Sequence, residues 1–325
     1  MTRISTVGFI GLGATGAPIA ANLQQAGHAL VVHDLRREAA EPHLQAGAVW
    51  AETPRALAEQ SEVVFSCLPT DEATEHVALG TDGLVAVLRP GSAWFDLSTS
   101  TPALVDKLHA AVNGRGAHFL DAPVSGGVRE ARRATLSIWV GGDKGCYQRW
   151  EPLLLAIAGR PLHAGATGAG VVTKVLHECA SQATQAGIAE IFAMAVKAGA
   201  DPLGLWEGVR LGMIGRRRTL DDLVDEFLPG DYSRIQAPLS VVYKDMKSAT
   251  AFARELGVPF RYPDLAFADI QEAMSRGWAA RDRRCVMLLP QERAGVHIQV
   301  DRQAIAEVLS RDPPAPSDVK HGAGE

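Results

Sequence analysis

Apolar and polar positions follow two rhythms along this chain, and the rhythm changes once. In the first half, short apolar runs alternate with segments of helical spacing. "TVGFIGL" predicts a buried strand, and "GAPIAANLQQAG" a helix closing on Gly27. "ALVVHD" is the next strand and "REAAEPHLQAG" the next helix. "AVWA", "EVVFSCL", "SAWFDLS", "HFLDAPV" and "LSIWVGG" continue the strands. "PRALAEQ", "TDEATEHVAL" and "TPALVDKLHAAVNGRG" continue the helices. Thr70 is the expected N-cap of the second of these, and Pro102 falls in the first turn of the third. This strand–helix alternation predicts an α/β fold with a doubly wound parallel sheet.

After about Pro161 the spacing becomes helical throughout. "GAGVVTKVLHECASQATQAGIAEIFAMAVKAGA" predicts one helix of about 30 residues, long enough to cross between domains. A helical bundle follows to about Gly295. "VHIQV" then reads as a short strand and "RQAIAEVLS" as a helix. The tail "RDPPAPSDVKHGAGE" has the composition of a disordered segment. The expected organisation is a dinucleotide-binding domain over 1–163, an all-helical domain over 164–310, and a tail over 311–325.

Composition narrows the function classes. The 325 residues suffice for two domains. A formal charge of −5 gives no footprint for nucleic acid or an anionic membrane. No run approaches the roughly 18–20 apolar residues of a membrane span, and the N-terminus lacks a signal-peptide layout. Cys67, Cys146, Cys179 and Cys285 form no C-x-x-C pair, so no metal site is expected. Reduced thiols in the cytoplasm are the expectation.

The first chemical signal is G-x-G-x-x-G at Gly11, Gly13 and Gly16. It follows a predicted strand and opens a predicted helix, the context of a Rossmann dinucleotide site. Gly11 permits the tight turn, Gly13 lets the backbone approach a pyrophosphate, and Gly16 lets helix and strand pack closely. Leu12, Ala14 and Thr15 complete the loop. Asp34 ends the second strand, where an acid accepts hydrogen bonds from the adenosine ribose and repels a 2′-phosphate. That favours NAD. Arg36 and Arg37 follow closely and keep NADP open.

Two further segments carry candidate chemistry. "DAPVSGGVREA" places Ser125 before Gly126 and Gly127. "GATGAGVVTKVLHECASQ" opens the long helix with Lys174. On helical spacing Lys174, His177, Glu178, Ser181 and Gln185 share one face, and Val171, Val172, Val175, Leu176 and Cys179 the other. A lysine beside a cofactor cleft can act as a general acid–base.

Together these motifs resemble those of the β-hydroxyacid dehydrogenases, the family of 3-hydroxyisobutyrate dehydrogenase and tartronate semialdehyde reductase. "CLPTDEATEHV" and "KDMKSA" extend the resemblance, which covers about residues 5 to 290. It implies a Rossmann domain followed by an all-helical substrate and dimerisation domain. It also implies Lys174 as general acid–base and Ser125, Gly126 and Gly127 as the cradle for a substrate carboxylate. Leu68, Pro69, Thr99 and Lys244 would contact the cofactor, and members form homodimers or homotetramers.

The chain departs from the family's pattern at Glu178, where members carry Asn in contact with substrate. Two readings stand there: an i,i+4 ion pair with Lys174, or a carboxylate that accepts from a substrate hydroxyl or ammonium. His177 matches the related 6-phosphogluconate dehydrogenases, whereas Ser181 replaces the acid those enzymes use, which argues against decarboxylation. Arg216, Arg217 and Arg218 read as a solvated run or as a reach toward a substrate carboxylate. The expected activity is an NAD(P)-dependent interconversion of a small 3-hydroxy acid and its semialdehyde or keto form. Alternatives are a non-catalytic cofactor-binding scaffold and an imine reductase. Imine reductases usually lack the lysine.

Overall fold

The computed structural model describes residues 6–197, 199–211, 223–255 and 260–310. The tail over 311–325 and the run Arg216–Arg218 lie outside the described residues. The chain divides into two compact units. One comprises Met1–Ala180 with Lys244–Arg261, the other Ser181–Tyr243 with Tyr262–Glu325.

In the first unit, the strands are β1 (Thr6–Ile10), β2 (Ala29–His33), β3 (Val49–Trp50), β4 (Val63–Ser66), β5 (Ala93–Asp96), β6 (His118–Asp121), β7 (Val124–Ser125), β8 (Leu136–Gly141) and β9 (Ala158–Gly165). They form one sheet in the order β3-β2-β1-β4-β5-β6-β8-β7, with β9 paired to β8. The run from β3 to β6 is parallel, as the alternation predicts. At β8 the sheet turns antiparallel to β6 and β7. The helices around it are α1 (Gly16–Gln25), α2 (Glu41–Gln45), α3 (Pro54–Glu59), α4 (Asp71–Leu79), α5 (Pro102–Asn113), α6 (Gly127–Arg132), α7 (Lys144–Leu155) and α8 (Ala169–Lys197). Thr70 caps α4 through Ala73 N–H at 3.2 Å, and Pro102 opens α5.

Register is pinned by an aromatic ladder. Phe9, Phe65 and Phe95 are partners on β1, β4 and β5. Their rings stack at 6.5 Å and 5.2 Å between centroids, and all three are fully buried. Each aromatic pair adds about 0.5–1.5 kcal/mol beyond the area it buries. A slip in register would break both stacks. The same register brings the carboxyl ends of β1, β4, β5 and β6 level, at Ile10, Ser66, Asp96 and Asp121.

The second unit is helical. It holds the later part of α8, then α9 (Pro202–Leu211), the start of α10 (Leu239–Glu255), α11 (Arg261–Ser275), α12 (Leu288–Ala294) and α13 (Arg302–Leu309). Trp206, Phe192 and Phe227 are in its core. Arg284 and Glu226 form a buried ion pair, and Gln236 donates to the other oxygen of Glu226 at 2.8 Å. Burial raises the Glu226 carboxyl above its usual range, and Arg284 opposes that. "VHIQV" is not a strand. Its alternation is real, since Ile298 and Val300 are buried. Its backbone bonds go instead to the Gln291 side chain (2.8 Å) and the Leu228 carbonyl (2.7 Å).

Among the described residues, one other than glycine takes a left-handed backbone: Ala134, with φ of 55°, in the turn from α6 to β8. A Cβ there costs about 1–2 kcal/mol, of which a glycine's extra unfolded-state entropy returns part. Replacing Ala134 with Gly is therefore expected to stabilise the protein by about 0.5–1 kcal/mol, read as a higher thermal midpoint.

Candidate active site

The glycine loop closes β1 onto α1 without room for side chains. Gly11 has φ of 93°, and a Cβ there would lie 2.4 Å from the Cys67 carbonyl oxygen. A Cβ on Gly16 would lie 1.9 Å from the Gly11 carbonyl oxygen. Gly13 differs: a Cβ there meets nothing within 4 Å. The loop is therefore tight beneath and open above, as a backbone approached by a phosphate must be. A cavity of about 510 Å³ lies over it, lined in part by Gly13, Ala14, Pro18, Arg36 and Arg132. Thr15 is half-buried in the same turn. The Leu12 side chain is in the core, and its N–H is taken within the protein.

Asp34 is built into this loop. Its carboxylate accepts the Leu12 N–H at 2.7 Å and the Arg36 N–H at 2.9 Å. A carboxylate has about four lone-pair sites, so capacity for ribose hydroxyls remains.

The loops after β4 and β5 are tied through Asp96. Its buried carboxylate accepts from Ser66 Oγ (2.8 Å), Ser98 N–H (3.2 Å) and Ser100 Oγ (3.0 Å). Ser98 Oγ in turn accepts the Leu68 N–H at 2.9 Å. Leu68, Pro69 and Thr99 are thus held at the carboxyl edge of the sheet, where open α/β sheets bind ligands. Beside them, burial pushes the Cys67 thiol up to about 12, so it is not a nucleophile at neutral pH. Lys244, on α10, places Nζ 3.5 Å from the Thr99 carbonyl oxygen.

Lys174 lies on the second turn of α8 and is only 6% exposed. Glu178, one turn on, is 7% exposed and forms an ion pair with Lys174 Nζ. Of the polar stripe of α8, Lys174, Glu178 and Gln185 are buried and His177 is exposed, while on the opposite face Val171, Val175 and Cys179 are buried and Leu176 is exposed. Asp245 is also buried, with Oδ1 3.5 Å from Lys244 Nζ. Burial raises its carboxyl above the usual range, and the charges of Lys174 and Lys244 pull it back. Lys174, Glu178 and Asp245 thus share this interior, with the partly exposed Lys244 beside Asp245.

Ser125 ends β7, Gly126 links it to α6, and Gly127 opens that helix. Ser125 Oγ is 3.1 Å from His177 Nε2, which joins the loop to α8 across 52 residues. The His177 ring rests on Trp139 at 5.1 Å. Gly126 and Gly127 have φ of 134° and 78°, and both are exposed. The sequence pointed to Ser125 and Lys174 but not to Asp245 or the Ser125–His177 bond. Asp245 stood in the "KDM" motif, beside the lysine that received a role. Among the described residues no group of three or more potential metal ligands occurs. Nor is any helix among them long and apolar enough to cross a membrane.

Residues 6–193 match the family model described as the NAD binding domain of 6-phosphogluconate dehydrogenase. Residues 168–289 match that described as NAD-binding of NADP-dependent 3-hydroxyisobutyrate dehydrogenase. The chain belongs to the β-hydroxyacid dehydrogenase family. Among its relatives is an NAD-dependent L-serine dehydrogenase of Pseudomonas aeruginosa. The two are 36% identical over 252 residues, which is 78% of this chain and 83% of that protein. Among solved structures, a Mycobacterium tuberculosis 3-hydroxyisobutyrate dehydrogenase with L-serine aligns with a TM-score of 0.79 and 29% identity, covering 88% of this chain and 99% of that one. An imine reductase from a Pseudomonas species, at 20% identity and a TM-score of 0.57 over 87% of this chain and 98% of that one, shares the fold alone.

Within this family member, the buried Lys174–Glu178 pair sets an energetic test. Removing one partner of a buried pair strands the other charge, at about 3–5 kcal/mol. Glu178→Ala is expected to destabilise by about 3 kcal/mol in chemical denaturation. The double variant Lys174→Met, Glu178→Leu should recover most of that loss.

Proposed function

We propose that the protein interconverts a small 3-hydroxy acid and its semialdehyde or keto form, with NAD as the redox partner. The observation that carries this reading is the placement of Lys174. It is buried on α8, three residues before the histidine that meets Ser125. The cofactor glycines are in the same folded unit. NAD, when bound, supplies the hydride chemistry. Gly11, Gly13, Gly16 and the backbone of Ala14 and Thr15 would hold its pyrophosphate, and Asp34, fixed by the Leu12 N–H, its ribose. Leu68, Pro69, Thr99 and Lys244 would flank the rest. The open Gly13 face and the cavity above it fit that assignment.

In oxidation, Lys174 Nζ takes the proton of the substrate hydroxyl, and in reduction it returns one to the carbonyl oxygen. Ser125, Gly126 and Gly127 hold the substrate carboxylate through hydroxyl and backbone N–H groups. Glu178 stands where the family's pattern has Asn. A carboxylate there repels a second acid group and accepts from a hydroxyl or an ammonium. Relatives named for, or bound to, L-serine support including amino-bearing 3-hydroxy acids in the substrate class. The same reading takes residues 1–163 as the cofactor domain and 164–310 as the substrate and dimerisation domain. It takes the assembly as a homodimer or homotetramer, and the four free thiols suit the cytoplasm.

Lys174→Met should lower kcat by about 10²–10⁴-fold while the NAD dissociation constant stays unchanged. Turnover at the unaltered rate would remove Lys174 from the mechanism. Cofactor binding by the unaltered protein, with no turnover on any hydroxy acid, would favour the scaffold. In Glu178→Asn, preference across a panel of hydroxy acids with and without a 2-amino group should move away from the amino-bearing members. An unmoved preference leaves Glu178 as the partner of Lys174 and nothing more.

A further inference from the structure

Asp121 ends β6, four residues before Ser125, and is 1% exposed. Its side chain points at another element. Oδ1 accepts the Gly168 N–H at 2.7 Å and Oδ2 accepts the Val171 N–H at 2.8 Å. These groups are the start of α8, and Lys174 follows Val171 by one turn.

Two glycines make the space this carboxylate occupies. A Cβ on Gly141, the antiparallel partner of Asp121 on β8, would lie 2.5 Å from Oδ1 and 2.8 Å from Oδ2. A Cβ on Gly170 would lie 2.4 Å from the carbonyl oxygens of Asp121 and Trp139 and 2.9 Å from Oδ2. The carboxylate therefore has one seat, on the first turn of the lysine helix.

We propose that Asp121 is a positioning residue, whose carboxylate fixes the start of α8 against the strand leading to Ser125 and thereby sets Lys174 relative to the Ser125–Gly127 loop. The proposal rests on the reading of Lys174 and that loop as the reacting pair. An ionised carboxylate accepts at both oxygens. Protonation puts a hydrogen where one of these N–H donors points, and the cap loosens. Burial pushes the Asp121 carboxyl up to about 6, and the backbone N–H bonds hold it from going higher. Because this lies above the ordinary value, the folded protein takes up the proton before the unfolded chain does as pH falls. The ionised form thus costs the fold stability above about pH 6, and that cost is relieved as pH falls toward 4. A group whose charge costs stability yet has a built seat is explained by what the charge positions.

Other ionisable groups lie on the surrounding elements. They are Asp96 on β5, His109 on α5, His163 on β9, and Lys174, His177 and Glu178 on α8. The test separates Asp121 from them. Asp121→Asn keeps the size and turns an amide donor toward N–H donors. Expected are a kcat at least about tenfold lower at neutral pH, NAD affinity unchanged and a thermal midpoint not lowered. The unaltered protein is expected to lose kcat as pH falls through about 6, and the variant is expected not to. A variant with unaltered kcat overturns the proposal, as does an acid limb that survives at the same pH in the variant.

A second measurement needs no variant and no turnover. In the unaltered protein, hydrogen exchange at the Gly168 and Val171 amides, corrected for intrinsic rates, should speed up as pH falls through about 6. Protection that stays constant across that range overturns the proposal. If Lys174→Met retains turnover, the functional reading fails while the exchange result still reports on the cap.

Discussion

The common register of the parallel strands is the constraint on which the rest of this molecule depends. β1, β4, β5 and β6 end level, so four loops leave the sheet along one edge. Those loops carry the glycine turn, Leu68 and Pro69, Thr99, and the Ser125–Gly127 segment. The Phe9–Phe65–Phe95 ladder holds that register from inside the core. A core preference for large apolar groups is thereby converted into the placement of polar loops.

The level edge also concentrates buried charge. Asp96 and Asp121 are partners on adjacent strands, and burial raises both carboxyls. Each finds different donors. Asp96 takes two serine hydroxyls and a backbone N–H, and ties the loops after β4 and β5. Asp121 takes backbone N–H groups and ties β6 to α8. Lys174, Glu178 and Asp245 add three more ionisable groups with little solvent. Desolvating such groups costs more than an apolar packing of similar volume would. Such a cost is expected where orientation matters more than stability.

The sequence made the cofactor half readable because its signals are contiguous. G-x-G-x-x-G, the strand before it and the helix after it fall within twenty residues, and local geometry dictates glycine at Gly11 and Gly16. The Lys174–Glu178 pair was readable as well, since helical spacing alone brings i and i+4 together. The misses have physical causes. β9 carries Gly159, Arg160 and Pro161, which hide a strand at the edge of the sheet. α7 contains Gly145 and Pro152, which break helical patterning without breaking the helix. "VHIQV" has strand alternation, but the Gln291 side chain and the Leu228 carbonyl take the bonds a neighbouring strand would make.

The substrate half was harder to read for a different reason. Its decisive contacts span 47 to 52 residues: Asp121 with Gly168 and Val171, and Ser125 with His177. No periodicity encodes such pairs. "DAPVSGG" shows an acid ahead of a serine and two glycines, and only the fold shows which element the acid meets. Asp121 points at the helix that carries the lysine, while Ser125 reaches that same helix one turn beyond the lysine. The loop and the helix are therefore joined on both sides of Lys174, at Val171 and at His177. A side chain fixed between two such joints has little freedom to drift, and a proton donor must have little if its transfer distance is to hold.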